Sequence, residues 1–284
     1  MSGKPVDRRT GLRGAGAAAL ALAGAPYLNL GRFRLFAHEA QEYTRRCLDL
    51  VRESLVVDML GLTTLNAETG ERWGPDYAGL TDVDAAEFRA SEIDVLHIAS
   101  GVGGRTTEQA FQNVLSFVGA WNAAVANRPD LFVRVDSAED LASVHGSGRV
   151  GILIGVQNSA HFRSPADVEH FHRLGQRVSQ LTYNSRNMIG NGSTERVDGG
   201  ISDFGVGIVE EMNRVGMAVD VSHSGDRTTL DACEVSRAPV LYTHSNARAL
   251  NPGHPRCKTD EAIRRMAETG GVMGITGVRN FVAP

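Results

Sequence analysis

Cysteine is scarce in this 284-residue chain: Cys47, Cys233 and Cys257 are its whole complement. They are too few and too scattered for a disulfide framework, and no CxxC pair exists. The odd count leaves at least one thiol unpaired within the chain, and Cys233, in a helical stretch, reads as a small buried side chain. A strong charge of one sign is also missing. The formal net charge is −4 and no basic stripe stands out, which excludes nucleic acid as the expected partner. No internal repeat appears, and no low-complexity tract beyond the N-terminal leader. With 42% apolar and 22% charged residues, the composition is that of a globular protein.

Long apolar runs are likewise absent, with one weak exception. Arg8 and Arg9 precede Gly14 to Leu30, a small, uncharged, alanine-rich stretch. A charged start, an apolar middle and small residues such as Ala21 and Ala23 resemble an export signal, and the arginine pair suggests the twin-arginine route. Pro26 and the weak hydrophobicity argue against a stable membrane span. The expectation is therefore residues 1–37 as an export leader or disordered N-terminus and 38–284 as one domain. Export implies a periplasmic or extracellular protein, and a non-functional leader a cytoplasmic one.

What remains is long enough for one large α/β domain, and a barrel of about 250 residues matches it. Helical spacing runs from His38 to Glu53, and strand one follows at Leu55 to Leu60. Strand two is Ile93 to Gly101. A long helix from Thr106 to Pro129 buries Phe111, Leu115, Val118 and Trp121 as an apolar stripe. Phe132 to His145 reads as a short strand or loop and then a helix. Strand three is Val150 to Asn158 and strand four Val178 to Tyr183. A loop rich in Gly, Asn and Asp leads to a helix at Asp203 to Val215, with Asp203 as the expected cap. Strands five and six are Met217 to His223 and Val240 to His244. Thr259, Asp260 and Glu261 open another helix, and Gly271 to Val278 is strand seven. Alternating strands and helices demand crossovers and so a parallel sheet.

The stretch MAVDVSHSGDRTTLDACEVSRAPVLYTHSN, Met217 to Asn246, organises the reading. In a parallel unit the ends of both its strands open on one face, so His223 and His244 should converge there, and two imidazoles on one rim point to a metal or a substrate. His161, just after strand three, could face the same mouth, although a loop histidine is usually solvated. His97 on strand two reads as an interior residue.

From Asp203 to Gly274 the chain resembles the renal, or membrane, dipeptidase family, through the paired strand-end histidine motifs, the HPR at 254–256 and the TDE at 259–261. The likeness is traceable back to Leu55. It implies an amidohydrolase-type (β/α)8 barrel of TIM type, here with seven strands visible and the eighth missing. It also implies a two-metal site at the barrel mouth that serves dipeptide hydrolysis.

Position by position, the resemblance gives His223 and His244 as metal ligands and Arg256 as the substrate-carboxylate arginine. Where the family has Asp-Gly-His-Asn-Asp, this chain reads Asp58, Met59, Leu60, Gly61, Leu62, so both strand-one ligands are leucine. The bridging glutamate is Gln157 and the strand-four histidine is Tyr183. The strand-eight acid has no counterpart before Pro284.

Two ligands lost and one weakened argue against a dinuclear centre and leave room for one zinc, if any. Its third ligand would be Gln157, Asp220 or Asp58. Tyr183 would then donate to the developing oxyanion and help bind substrate. Asp220 would serve catalysis or support a histidine. For Arg256 the bland alternative is a salt bridge to Asp260 or Glu261, and for Asp58 a loop cap.

The expected function is a dipeptidase-like metallohydrolase acting on a dipeptide or small amide through a metal-activated water. The alternative is a metal-deficient relative that binds a small molecule or protein partner. A third reading is a hydrolase drifted to lactones, esters or N-acyl amino acids. An unpaired sheet edge is compatible with a homodimer.

Overall fold

A computed structural model describes residues 43–64, 66–100 and 103–282. The leader and residues 38–42 of the expected first helix lie outside the described residues. Among the described residues eight strands form one parallel sheet. They are β1 (Val57–Asp58), β2 (Val95–Ser100), β3 (Phe132–Arg134), β4 (Val150–Val156), β5 (Gln176–Gln180), β6 (Ala218–Asp220), β7 (Val240–Ser245) and β8 (Met273–Ile275). The hydrogen-bonded order is β1-β2-β4-β5-β6-β7-β8, with β3 paired to β4 beside this path. Because β2 takes one edge of β4, β3 and β5 share the other. β3 pairs with Val150 to Ile152, and β5 with Ile154 to Val156.

The seven-strand path curls into a partial barrel. A Cβ built at Gly274 on β8 would lie 3.4 Å from the Cβ of Met59, just past β1, so the last strand returns towards the first. The helices are α1 (Arg45–Glu53), α2 (Ala67–Trp73), α3 (Asp82–Ala90), α4 (Thr107–Asn127), α5 (Ala138–Val144), α6 (Pro165–Arg173), α7 (Asp203–Val215), α8 (Asp226–Val235), α9 (Asp260–Glu268) and α10 (Arg279–Val282), with α2 to α9 lying in the connections between strands.

Strand alternation divides the barrel into two environments. Leu96, Ile98, Ile152, Ile154 and Val156 join Phe88, Trp121 and Phe132 in the main core, between sheet and helices. Val95 and Leu153, out of phase with those, pack in a second cluster with Val57, Val135 and Val144. On that inner register also lie His97, Gly155 and Gln157. Gly155 matters because a Cβ there would sit 2.0 Å from Nε2 of His97, so the imidazole occupies the space a side chain would need.

The expected elements are present with shifted bounds. The chain joins the sheet only for two residues at β1, far less than Leu55 to Leu60. β5 begins two residues early and ends at Gln180, whose side chain then donates to the carbonyls of Gln157 and Thr182, closing the strand. β6 stops at Asp220, where the chain turns. α7 has the expected span, but its cap is Ser202, whose hydroxyl accepts from the Gly205 amide at 3.0 Å. The α4 stripe is buried at Phe111, Val118 and Trp121, while Leu115 is half-buried. All three cysteines are free, Cys47 exposed and the other two buried.

Candidate active site

The loops after the strands build the mouth, and β6 and β7 bring their strand-end histidines together there. Nε2 of His223 lies 2.8 Å from Nε2 of His244. Each ring is oriented from behind by its other nitrogen. Nδ1 of His223 meets Oδ1 of Asn184 at 2.7 Å, and Nδ1 of His244 meets the Thr243 hydroxyl at 2.9 Å. That hydroxyl gives its own proton to Asp220 at 2.7 Å, so it accepts from the His244 Nδ1–H. Both rings therefore present an Nε2 lone pair to the other. Burial lowers the pKa of both histidines, with Arg256 adding to the effect, which keeps them neutral.

Two facing lone pairs at 2.8 Å repel unless a cation or a shared proton lies between them. Two imidazoles on one tetrahedral zinc stand on the order of 3.3 Å apart, so a withdrawal of about 0.5 Å would admit an ion. A third donor is available at Gln157. It is buried at the end of β4 and gives its amide N–H to the Ala99 carbonyl at 3.0 Å, while Oε1 has no hydrogen-bond partner among the described residues. Two facing neutral imidazole nitrogens and an amide oxygen are the donor chemistry that a metal ion takes. Leu60 and Leu62 offer no ligand atom, and among the described residues no three His, Cys, Asp or Glu side chains group as metal ligands.

Asp220 is 1% exposed, and its oxygens take the Ser222 amide and hydroxyl and the Thr243 amide and hydroxyl. It stands behind the histidines and orients His244 through Thr243. Asp58 caps the turn after β1, accepting from the Leu60 amide at 3.0 Å.

Tyr183 is 40% exposed, and its ring stacks on His223 with centroids 4.2 Å apart and planes 19° off parallel. Its hydroxyl has no hydrogen-bond partner among the described residues. Arg256 is 5% exposed. It donates to the Ser222 carbonyl and, at 3.4 Å, to that of His244, while its Nε–H is buried without a partner. The salt bridge to Asp260 or Glu261 does not form, and no carboxylate pairs with Arg256 among the described residues. Burial pushes its pKa down to about 10.

His161 does not face solvent. It is fully buried against Phe162 and Phe171, which pushes its pKa down to about 4. His97 donates from Nδ1 to the Met59 carbonyl at 2.8 Å and leaves Nε2 buried without a partner.

Three supporting residues were not singled out by the sequence. Asn184 holds φ of 59°, a conformation asparagine tolerates better than most residues, and its position straight after Tyr183 is the signal that could have found it. Thr243 stands beside His244. Lys258, two residues past Arg256, is buried and has no carboxylate partner among the described residues.

Known proteins agree with this architecture. The profile of the membrane dipeptidase family, peptidase family M19, matches residues 44–284. Dipeptidase verJ of Clonostachys rogersoniana is 36% identical over 146 residues, covering 50% of this chain and 37% of that protein. The chain thus spans well under two thirds of the length of the curated relatives it matches. A solved amidohydrolase from Pseudomonas aeruginosa superposes with TM-score 0.65 at 33% identity, over 80% of this chain and 64% of that one. A Rhodobacter sphaeroides metallopeptidase, solved with a phosphinate mimic of L-Ala-D-Ala, shares the fold with TM-score 0.63 at 22% identity, over 68% and 64%. Among the described residues no helix is long and apolar enough to cross a membrane. With the curled parallel sheet, the strand-end histidines and the profile match over most of its length, the chain belongs to the membrane dipeptidase family, peptidase family M19.

Proposed function

We propose that this chain is a dipeptidase-like metallohydrolase that cleaves a dipeptide or related small amide. The observation that carries the reading is the facing Nε2 pair of His223 and His244 beside Arg256, a buried cation with no ion-pair partner among the described residues. His223, His244 and Oε1 of Gln157 would hold one zinc ion. When bound, zinc supplies a water acidified towards pKa ~7, a nucleophile at neutral pH.

The chain's own groups do the rest. Arg256 offers an Nε–H with no partner and a buried positive charge with no direct ion pair among the described residues, which favours the carboxylate of a substrate. Tyr183, held flat on His223, has a free hydroxyl to donate to the oxygen that gains charge as the amide carbon becomes tetrahedral. Asp220 keeps Thr243, and through it the tautomer of His244, in place.

Elemental analysis after zinc loading, with His223→Ala and His244→Ala alongside, tests the reading. About one zinc per chain, lost in both variants together with dipeptide hydrolysis, is the expected result. A wild-type chain that takes up no zinc overturns it.

A further inference from the structure

Lys258 is a buried lysine at the mouth to which the function proposed above assigns no role. It is 1% exposed, and burial pushes its pKa down to about 7. An ammonium taken out of water costs several kcal/mol unless its hydrogen bonds are met by good acceptors. Nζ donates to the carbonyls of Val221 at 2.7 Å and Ser224 at 2.8 Å, and to the Thr229 hydroxyl at 3.1 Å.

Those two carbonyls flank His223 in the turn that follows β6. The other two carbonyls of the turn are also held from outside it. Arg256 donates to that of Ser222, and the Ser193 amide to that of His223 at 2.8 Å. Every carbonyl from Val221 to Ser224 thus has an external donor, and two buried cations supply three of those contacts.

Both cations lie on one segment, which is fastened to the strand that bears the other histidine. The Ser245 hydroxyl donates to the Arg256 carbonyl at 2.7 Å, and the Lys258 amide to the Asn246 carbonyl at 2.8 Å. The turn carrying His223 is therefore referenced to the end of β7, beside His244, through Arg256 to Lys258.

We propose that Lys258 is a positioning residue whose ammonium clamps the Val221 to Ser224 turn onto the end of β7 and so sets the spacing and direction of the two facing imidazole nitrogens. A side chain needed only to fill this space would be a methionine, which costs nothing to bury. The donor role explains the lysine. The proposal deepens the metallohydrolase reading and rests on it for the meaning of the nitrogen spacing.

The test compares wild type with Lys258→Met by two readouts. One is zinc affinity by competition with a chelator. The other is the ring-nitrogen NMR signals of His223 and His244 in metal-free protein. Arg177→Met is the control: this partly buried β5 cation donates to the Asp136 and His172 carbonyls, outside the mouth.

Lys258→Met should weaken zinc binding at least tenfold and shift both histidines' ring-nitrogen signals. Arg177→Met, even with an equal fall in Tm, should leave both readouts at wild type. Lys258→Ala should regain zinc affinity when propylammonium is added. If Lys258→Met does not fold, Lys258→Gln takes its place with the same expectations. Wild-type zinc affinity and unshifted ring signals in the folded variant overturn the proposal, as does an equal loss in the control. If the wild type itself takes up no zinc, the metal reading fails and the ring signals alone decide the role of Lys258.

Discussion

At the residue scale the mouth is a set of imidazoles whose freedom has been removed one contact at a time. His223 is fixed by Asn184 and by the face of Tyr183, and His244 by Thr243 and Asp220 behind it. His97 is confined differently, by a missing side chain: its ring lies where the Cβ of residue 155 would be. Gly155→Ala should therefore push a well-packed, 98% buried ring off its bond to Met59, at a cost of about 1–3 kcal/mol typical of overpacking. Urea unfolding would measure this. An unchanged midpoint would show that the ring can swing aside at no cost.

At the scale of elements, helix starts are set by caps. Thr106, Ser137, Ser202 and Thr259 each accept from an amide in the first turn of the helix that follows. Thr106 and Thr259 were legible as starts, because a threonine before a periodic apolar run is a local signal. Asp203 misled by one residue, since the sequence offers two good caps side by side and only the chain path selects Ser202. That hydroxyl also donates to the Met188 carbonyl at 2.6 Å, tying α7 to the loop that carries Asn184 and Tyr183. Ser202→Ala should cost about 1 kcal/mol in chemical unfolding. Asp203→Ala, beside it, should cost a few tenths, through loss of a charge near the helix start. Equal losses would refute the assignment of the cap.

At the scale of the whole molecule, the barrel keeps His161 neutral by burial, and that makes its stability sensitive to acid. The unfolded chain binds a proton at this residue near pH 6.5, and the folded chain only near 4. Between those values the unfolded state holds the extra proton, so stability falls as pH is lowered, and below about 4 the loss levels off. From pH 6.5 to 5 this one group should cost about 1.6 kcal/mol. Burial lowers His97 in the same direction, so the wild type carries a further slope of the same sign. Unfolding free energies of wild type and His161→Phe at the two pH values check the sign and size. The variant should lose about 1.6 kcal/mol less, and an identical pH dependence would mean that His161 is not kept neutral.

What the sequence determined by itself is local and periodic. Apolar runs of strand length alternating with helical stretches implied a parallel sheet with its strand ends on one face, and hence the meeting of His223 and His244 from strands 20 residues apart. Leu60, Leu62 and Gln157 are visible in the sequence as changes of chemistry, because ligand capacity belongs to the side chain itself. Only the tertiary structure decided what lies behind the histidines. No pattern in a sequence says that Asp220 spends its oxygens on Ser222 and Thr243, that Arg256 donates to carbonyls and to no carboxylate among the described residues, or that Lys258 is buried under the His223 turn. The physical reason is that hydrogen-bond partners across strands are chosen by register and chain path, which no spacing of residues along the sequence encodes.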